Sequence, residues 1–315
     1  MLKQVLDTLE ILDSPQASGQ AVAQALTAAA PEAFAQGIVA VSVQPVGTDK
    51  GSTDFVKVTI KGTDGKAAGG SARTLGVIGR LGGLGARPSR IGFTSDGDGA
   101  ASAIATAWKL VRMAELGDRL PGDVIVATHV CPDAPTRPHK PVEFMDSPVD
   151  MGIMNRHEVD EAMDAILSID TTKGNKLVNV KGISITPAIL DGYVMAVPDD
   201  LIDVLEIATG RPAVTFPITN QDITPYGNGV HHVNSIVQPA TAAEVPVVGV
   251  AITTESLVPG SATGASHEVD IADAVRFAIE VAKGFGKGDV HFVKDDEVAI
   301  LQRLYGSLGH LYKEA

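Results

Sequence analysis

Arg90-Ile91-Gly92-Phe93-Thr94-Ser95-Asp96-Gly97-Asp98-Gly99 is followed by Ala101, Ile104, Ala105, Trp108 and Val111 at helical spacing. The stretch predicts a strand ending near Thr94, a glycine hinge carrying Asp96 and Asp98, and a long helix beyond it. Carboxylates at the carboxyl end of a strand occupy the edge where open α/β sheets bind ligands. Three later segments repeat the pattern. Asp123-Val124-Ile125-Val126-Ala127-Thr128 runs into His129-Val130-Cys131-Pro132-Asp133, and a helix expected over 157–166 leads to Ala165–Ile169 and then Asp170-Thr171-Thr172-Lys173-Gly174. The buried-type strand Pro246–Ile252 precedes His267-Glu268 and an amphipathic helix bearing Ile271, Ala274, Val275, Ala278 and Ala282. Continuous apolar strands alternating with helices imply an α/β fold: a central, mostly parallel sheet with mixed edges and helices on both faces.

Upstream, Val5, Leu6, Leu9 and Leu12 stripe a helix over 1–13, and Val22, Ala25 and Leu26 stripe another over 19–30. Strand-like runs follow at Ile38–Val43 and Phe55–Ile60, separated by a loop. Residues 62–89 are glycine-rich but carry neither a Gly-x-Gly-x-x-Gly nor a P-loop pattern, and no Gly-x-Ser-x-Gly elbow occurs. Arg73, Arg80, Arg87 and Arg90 remain candidates for an anionic group. Residues 1–294 read as one α/β domain with a possible lid or subdomain over 176–240. In 295–315 an amphipathic helix carries Val298, Leu301, Leu304, Tyr305, Leu308, Leu311 and Tyr312 on one side. That helix either docks on its own domain or forms a subunit contact, and a homo-oligomer is expected.

The 315-residue chain is 44% hydrophobic and 20% charged, an ordinary globular balance. Its net charge of −13 without a basic patch argues against nucleic acid as a partner. Cys131 is the sole cysteine, which excludes an intrachain disulfide. No run approaches the roughly 20 apolar residues of a membrane span. No membrane partner and a cytoplasmic location are therefore expected, with a small molecule or peptide as substrate.

Asp96 and Asp98 suit metal ligation, or else a turn and a helix cap. His129, Cys131 and Asp133 alternate, so an extended segment would point them one way, as ligands or as an acid/base group. Asp170, ending a buried strand, needs a partner such as a metal or a capped turn. His231 and His232 lie in the polar loop Gly227–Asn234, which suits hydrogen bonds to an oxyanion or a substrate carboxylate, or else is a solvated loop. His267 sits at a loop-to-helix junction, with Ser266 a candidate cap.

In order, these elements resemble the zinc aminopeptidase and amidohydrolase superfamily with co-catalytic metals. Phe55–Asp64 resembles its strand ending in Gly-His-x-Asp, Asp96/Asp98 its bridging aspartate, and Thr128–Asp133 its paired-glutamate strand. Ile169-Asp170 resembles its later metal aspartate, and Ser266–Ile271 its final histidine segment. The chain departs from that pattern with Gly62-Thr63-Asp64-Gly65 and Cys131-Pro132-Asp133. Over nearly its full length the chain also resembles a bacterial family known only as domain of unknown function 1177. The segments concerned are 95–99, Ser168–Gly174, Thr224–Gly229 and Thr263–Asp270. The aminopeptidase and amidohydrolase resemblance implies metal-dependent hydrolysis of amide bonds in small peptides or acylated amino acids, while the resemblance to domain of unknown function 1177 implies no activity. The metal would be zinc, with manganese or cobalt as alternatives. Asp98, Asp170 and His267, joined by Asp96 and His129, would be ligands, Asp133 the base, and His231 or His232 the oxyanion donor. Two alternatives stand beside it: a non-catalytic metabolite- or partner-binding protein on the same scaffold, and a metal-free isomerase or lyase using Cys131.

Overall fold

The computed structural model describes residues 1–174, 178–215, 235–258 and 260–308. The chain opens with α1 (Leu2–Leu12), α2 (Gly19–Ala29) and α3 (Pro31–Ala35). Ser18 caps α2, its hydroxyl accepting the Ala21 N–H at 3.1 Å. A hairpin of β1 (Val39–Thr48) and β2 (Gly51–Ile60) leads to β3 (Leu75–Arg80), α4 (Asp98–Glu115) and β4 (Val124–Val130). The two-residue strands β5 (Thr136–Arg137) and β6 (Phe144–Met145) pair with each other, ahead of α5 (Met151–Glu158) and β7 (Ala165–Thr171). Then come β8 (Gly182–Ile185), β9 (Ile189–Leu190), β10 (Tyr193–Val194), α6 (Asp199–Thr209), β11 (Val247–Thr253), α7 (Glu268–Lys287) and α8 (Asp295–Tyr305).

Among the described residues one nine-stranded sheet runs β1-β2-β4-β3-β7-β11-β9-β10, with β8 also on β11. The central strands β4, β3, β7 and β11 are parallel. Antiparallel β1–β2 closes one side and β8–β10 the other. Neighbouring core residues alternate between the two faces. Val77, Val126, Leu167 and Val250 join the large core under α1, α2, α4 and α7, whereas Ile78, Ile125, Ile166 and Val247 form a second core with Met163 and Ala240. Both faces of the parallel strands are thus covered, as their apolar runs imply.

Three expectations need correction. The strand before the Asp96–Asp98 hinge is not Arg90–Thr94 but β3, inside the glycine-rich stretch 62–89. Its glycines are packing devices: a Cβ on Gly79 would lie 2.7 Å from Ala103 Cβ on α4. The helix expected over 157–166 is α5, ending at Glu158, capped at its start by Asp150, which accepts the Ile153 N–H at 2.8 Å. Finally, β2 runs antiparallel, pairing Ile60 with Val124 at the start of β4. The Gly62–Gly65 loop therefore sits at the amino edge of the parallel strands, opposite the site it was matched to. Within 176–240, β8 and β9 extend the main sheet and α6 packs on α7. Val298 and Leu301 of α8 pack on the chain's own core, while Leu304 and Tyr305 are exposed.

Candidate active-site cleft

The parallel register aligns Arg80, Asp170 and Ala251 across three strands, so their carboxyl ends form one edge. α4 approaches that edge closely because Gly99 lacks a side chain. A Cβ there would overlap the carbonyl oxygen of Arg80 and lie 2.5 Å from that of Ile169. Asp96 is in the 3-10 turn Ser95–Gly97 just before α4. The turn is pinned by the loop after β11: the Ser95 N–H donates to the Thr263 carbonyl at 2.7 Å, and its hydroxyl to the Ser261 carbonyl at 3.1 Å. The result is a small cleft of about 50 Å³ lined by Leu81, Asp96, Asp170, Thr172, Lys173 and Ser261, among others. Asp96 and Asp170 are 7% and 4% exposed. A larger pocket of about 390 Å³ near the start of α6 and α8 holds none of these acids.

Asp98 is fully buried and is neither a helix cap nor an open ligand. Its Oδ2 accepts the Thr171 hydroxyl at 2.9 Å and the Lys173 ammonium at 3.0 Å, and Oδ1 accepts the Ser266 hydroxyl. Burial pushes the Asp98 carboxyl above its ordinary range, opposed by the ammonium and the two hydroxyls. Ser266, expected to cap α7, serves this carboxylate instead. The helix N-cap is His267, without a side-chain cap.

His129 is not available to a metal. Its Nε2 accepts the Gly82 N–H at 3.0 Å, which places its proton on Nδ1, 2.7 Å from Glu158 Oε1. Glu158 Oε2 lies 2.7 Å from Arg80 Nε as an ion pair, and Arg80 Nη2 donates to Asn155 Oδ1 at 2.5 Å. Arg80, Glu158 and His129 are each 1% exposed or less. The network fixes Arg80-Leu81-Gly82 at the end of β3, where Leu81 forms part of the cleft wall. Pattern reading missed Arg80 and Glu158 as partners. The available signal was Arg80 itself, a cation ending a buried strand.

The alternation expected beyond His129 fails because β4 ends at Val130. Asp133 is exposed in the following turn and does not line the cleft, which removes it as the base beside Asp96 and Asp170. Burial pushes the Cys131 thiol up to about 12, so it supplies no thiolate nucleophile at neutral pH. His267 is exposed at the head of α7. One turn on, Asp270 is 1% exposed and neither of its oxygens has a hydrogen-bond partner among the described residues. His231 and His232 lie outside the described residues. Among the described residues no three His, Cys, Asp or Glu side chains assemble as a metal cluster. With Asp98 and His129 already committed, the described donors do not fit a zinc, manganese or cobalt ion. None of the helices among the described residues is long and apolar enough to cross a membrane.

A family model described as "Protein of unknown function (DUF1177)" matches residues 44–315. No curated protein matches the sequence. Among solved structures, the chain is similar to the bottromycin maturation enzyme BotP in complex with Mn (15% identity, 90% of this chain and 70% of that one, TM-score 0.52). It is similar to the Legionella pneumophila LapA aminopeptidase (12% identity, 90% and 71%, TM-score 0.54). A tomato leucine aminopeptidase mutant aligns at 11% identity, over 88% of this chain and 60% of that one, with a TM-score of 0.51. At these identities the likeness is one of fold: the sheet and its helices are those of the aminopeptidases.

Proposed function

We propose, for a chain that belongs to the DUF1177 family of unknown function, that its cleft hydrolyses amide bonds in small peptides or acylated amino acids. The observation that carries this reading is the pair of buried carboxylates, Asp96 and Asp170, lining one cleft at the carboxyl edge of parallel strands. A carboxylate there accepts the proton of an attacking water, and the Thr172 and Ser261 hydroxyls orient the scissile group. The cleft's small volume suits the end of a ligand rather than the middle of a long chain. Support also comes from the fold, which the chain shares with aminopeptidases and with a maturation enzyme solved with Mn. A metal-dependent form of the reaction needs ligands beyond the described residues.

The second reading, ligand binding without turnover, is favoured by the Asp98–Lys173 pair, which withdraws one carboxylate from the chemistry. The test is mass spectrometry of a mixed pool of free di- and tripeptides and N-acyl amino acids, incubated with wild type and Asp170→Asn, with and without Mn²⁺ or Zn²⁺. Cleavage is expected to fall about 10²–10⁴-fold in Asp170→Asn at unchanged melting temperature, the usual contribution of a general base. Peptides that raise the melting temperature but stay intact favour the binding reading. A pool neither cleaved nor bound rejects both.

A further inference from the structure

Asp98 stands where the aminopeptidase resemblance puts a metal ligand, yet its surroundings are those of an internal ion pair. Lys173 follows β7 with φ of 52°, a left-handed backbone unusual for a side chain of its size. That turn folds the side chain back into the protein, 5% exposed, with its ammonium 3.0 Å from Asp98 Oδ2. The same ammonium donates to the Ala265 carbonyl at 2.8 Å, tying the end of β7 to the segment before α7. Thr171 and Ser266 fill further acceptor positions on the carboxylate, so both oxygens are engaged. A divalent ion on Oδ2 would lie within a few ångströms of a buried ammonium, a strong repulsion at low dielectric. Removing Lys173 to admit it would break the link to Ala265.

We propose that the Lys173 ammonium, and not a metal ion, is the resident cation of Asp98. The buried pair holds together the three segments that frame the cleft: the start of α4, the end of β7 and the approach to α7. The site keeps the fold position of a metal-bridging carboxylate but supplies its positive charge from the chain. This inference does not depend on the hydrolase reading, since its test reads metal content and melting temperature and no turnover.

Wild type, Lys173→Met, Asp98→Asn and the double variant Asp98→Asn/Lys173→Met are compared, each purified after growth with added Mn²⁺ or Zn²⁺. Metal is counted by plasma mass spectrometry, and melting temperature is read with and without each ion. In wild type, neither ion is expected to change the melting temperature through Asp98. Each single variant should melt roughly 5 °C or more below wild type, because each leaves one buried charge alone. The double variant should recover most of that loss. Should a single variant fail to fold, the wild type and the double variant still decide the matter. Metal bound by wild type and retained by the folded double variant leaves Asp98 to Lys173, as proposed. Overturning results are a stoichiometric metal that wild type holds and the folded double variant loses, or a double variant no more stable than the worse single one.

Discussion

Glu158→Ala is expected to destabilise the protein by about 3–5 kcal/mol, the range for breaking a buried ion pair by removing one partner. The change leaves the Arg80 guanidinium charged and fully buried, and strips the His129 Nδ1–H of its acceptor. Among the described residues, the remaining partners of the Arg80 side chain are neutral: the Asn155 side-chain oxygen and, at 3.4 Å, the Met151 sulfur. They do not replace a carboxylate. Nor can water readily reach the group, because β3, β4 and α5 close around it. Glu158→Gln should be milder, since the amide oxygen can still accept from His129. Denaturant unfolding gives the measurement. A loss for Glu158→Ala below about 1 kcal/mol, the level of a surface pair, would show that the network is open to solvent.

Gly99→Ala is expected to be comparably damaging for a different reason. The added methyl meets two backbone oxygens, of Arg80 and Ile169, and no rotamer can move them. α4 must lift off β3 and β7, with an overpacking penalty of about 1–3 kcal/mol or more and with Asp96 and Asp98 carried out of place. Gly97→Ala is the internal control, since its nearest neighbours are the Phe93 ring at 2.7 Å and a Leu84 methyl at 3.0 Å, side chains that can shift. Thermal melts should therefore rank Gly99→Ala well below Gly97→Ala. Equal melting temperatures would mean that α4 tolerates the lift.

Much of this fold was legible in the sequence because its strands and helices obey their own periods. The runs around Val124–Thr128, Ala165–Ile169 and Pro246–Ile252 lie within or against β4, β7 and β11, and the helices from Leu2, Gly19 and Glu268 begin within a residue or so of where their patterns place them. β3 was hidden by the demand that makes it central. Close approach of α4 requires glycine at Gly79, and Met163 packs tightly over Gly76, so the strand is lost among the glycines of 62–89. The edge acids were visible in the sequence. Asp170 is expected at the end of a strand and lies there in β7, whereas Asp96 and Asp98 are expected just after a strand ending near Thr94 and instead follow β3 across a loop. The partners of Asp98 were not visible, since Lys173 and Ser266 are 75 and 168 positions from it and meet it only through tertiary folding. The same holds for His129 and Glu158, 29 positions apart.

Asp270 has a consequence for how folding exchanges protons with the solvent. Burial raises its carboxyl above the ordinary range, outweighing the nearby charges of Lys181, His267 and Arg211, and Asp273 raises it further. Between the ordinary value and the raised one, the native chain holds a proton there that the unfolded chain has released. The stabilisation this gives is complete below the ordinary value and is lost as pH rises through the raised one. Refolding in that window should take up protons, and the heat measured by calorimetry should vary with the ionisation enthalpy of the buffer. Asp270→Asn is expected to reduce that dependence; an unchanged buffer dependence would mean the carboxyl is ionised in the native state.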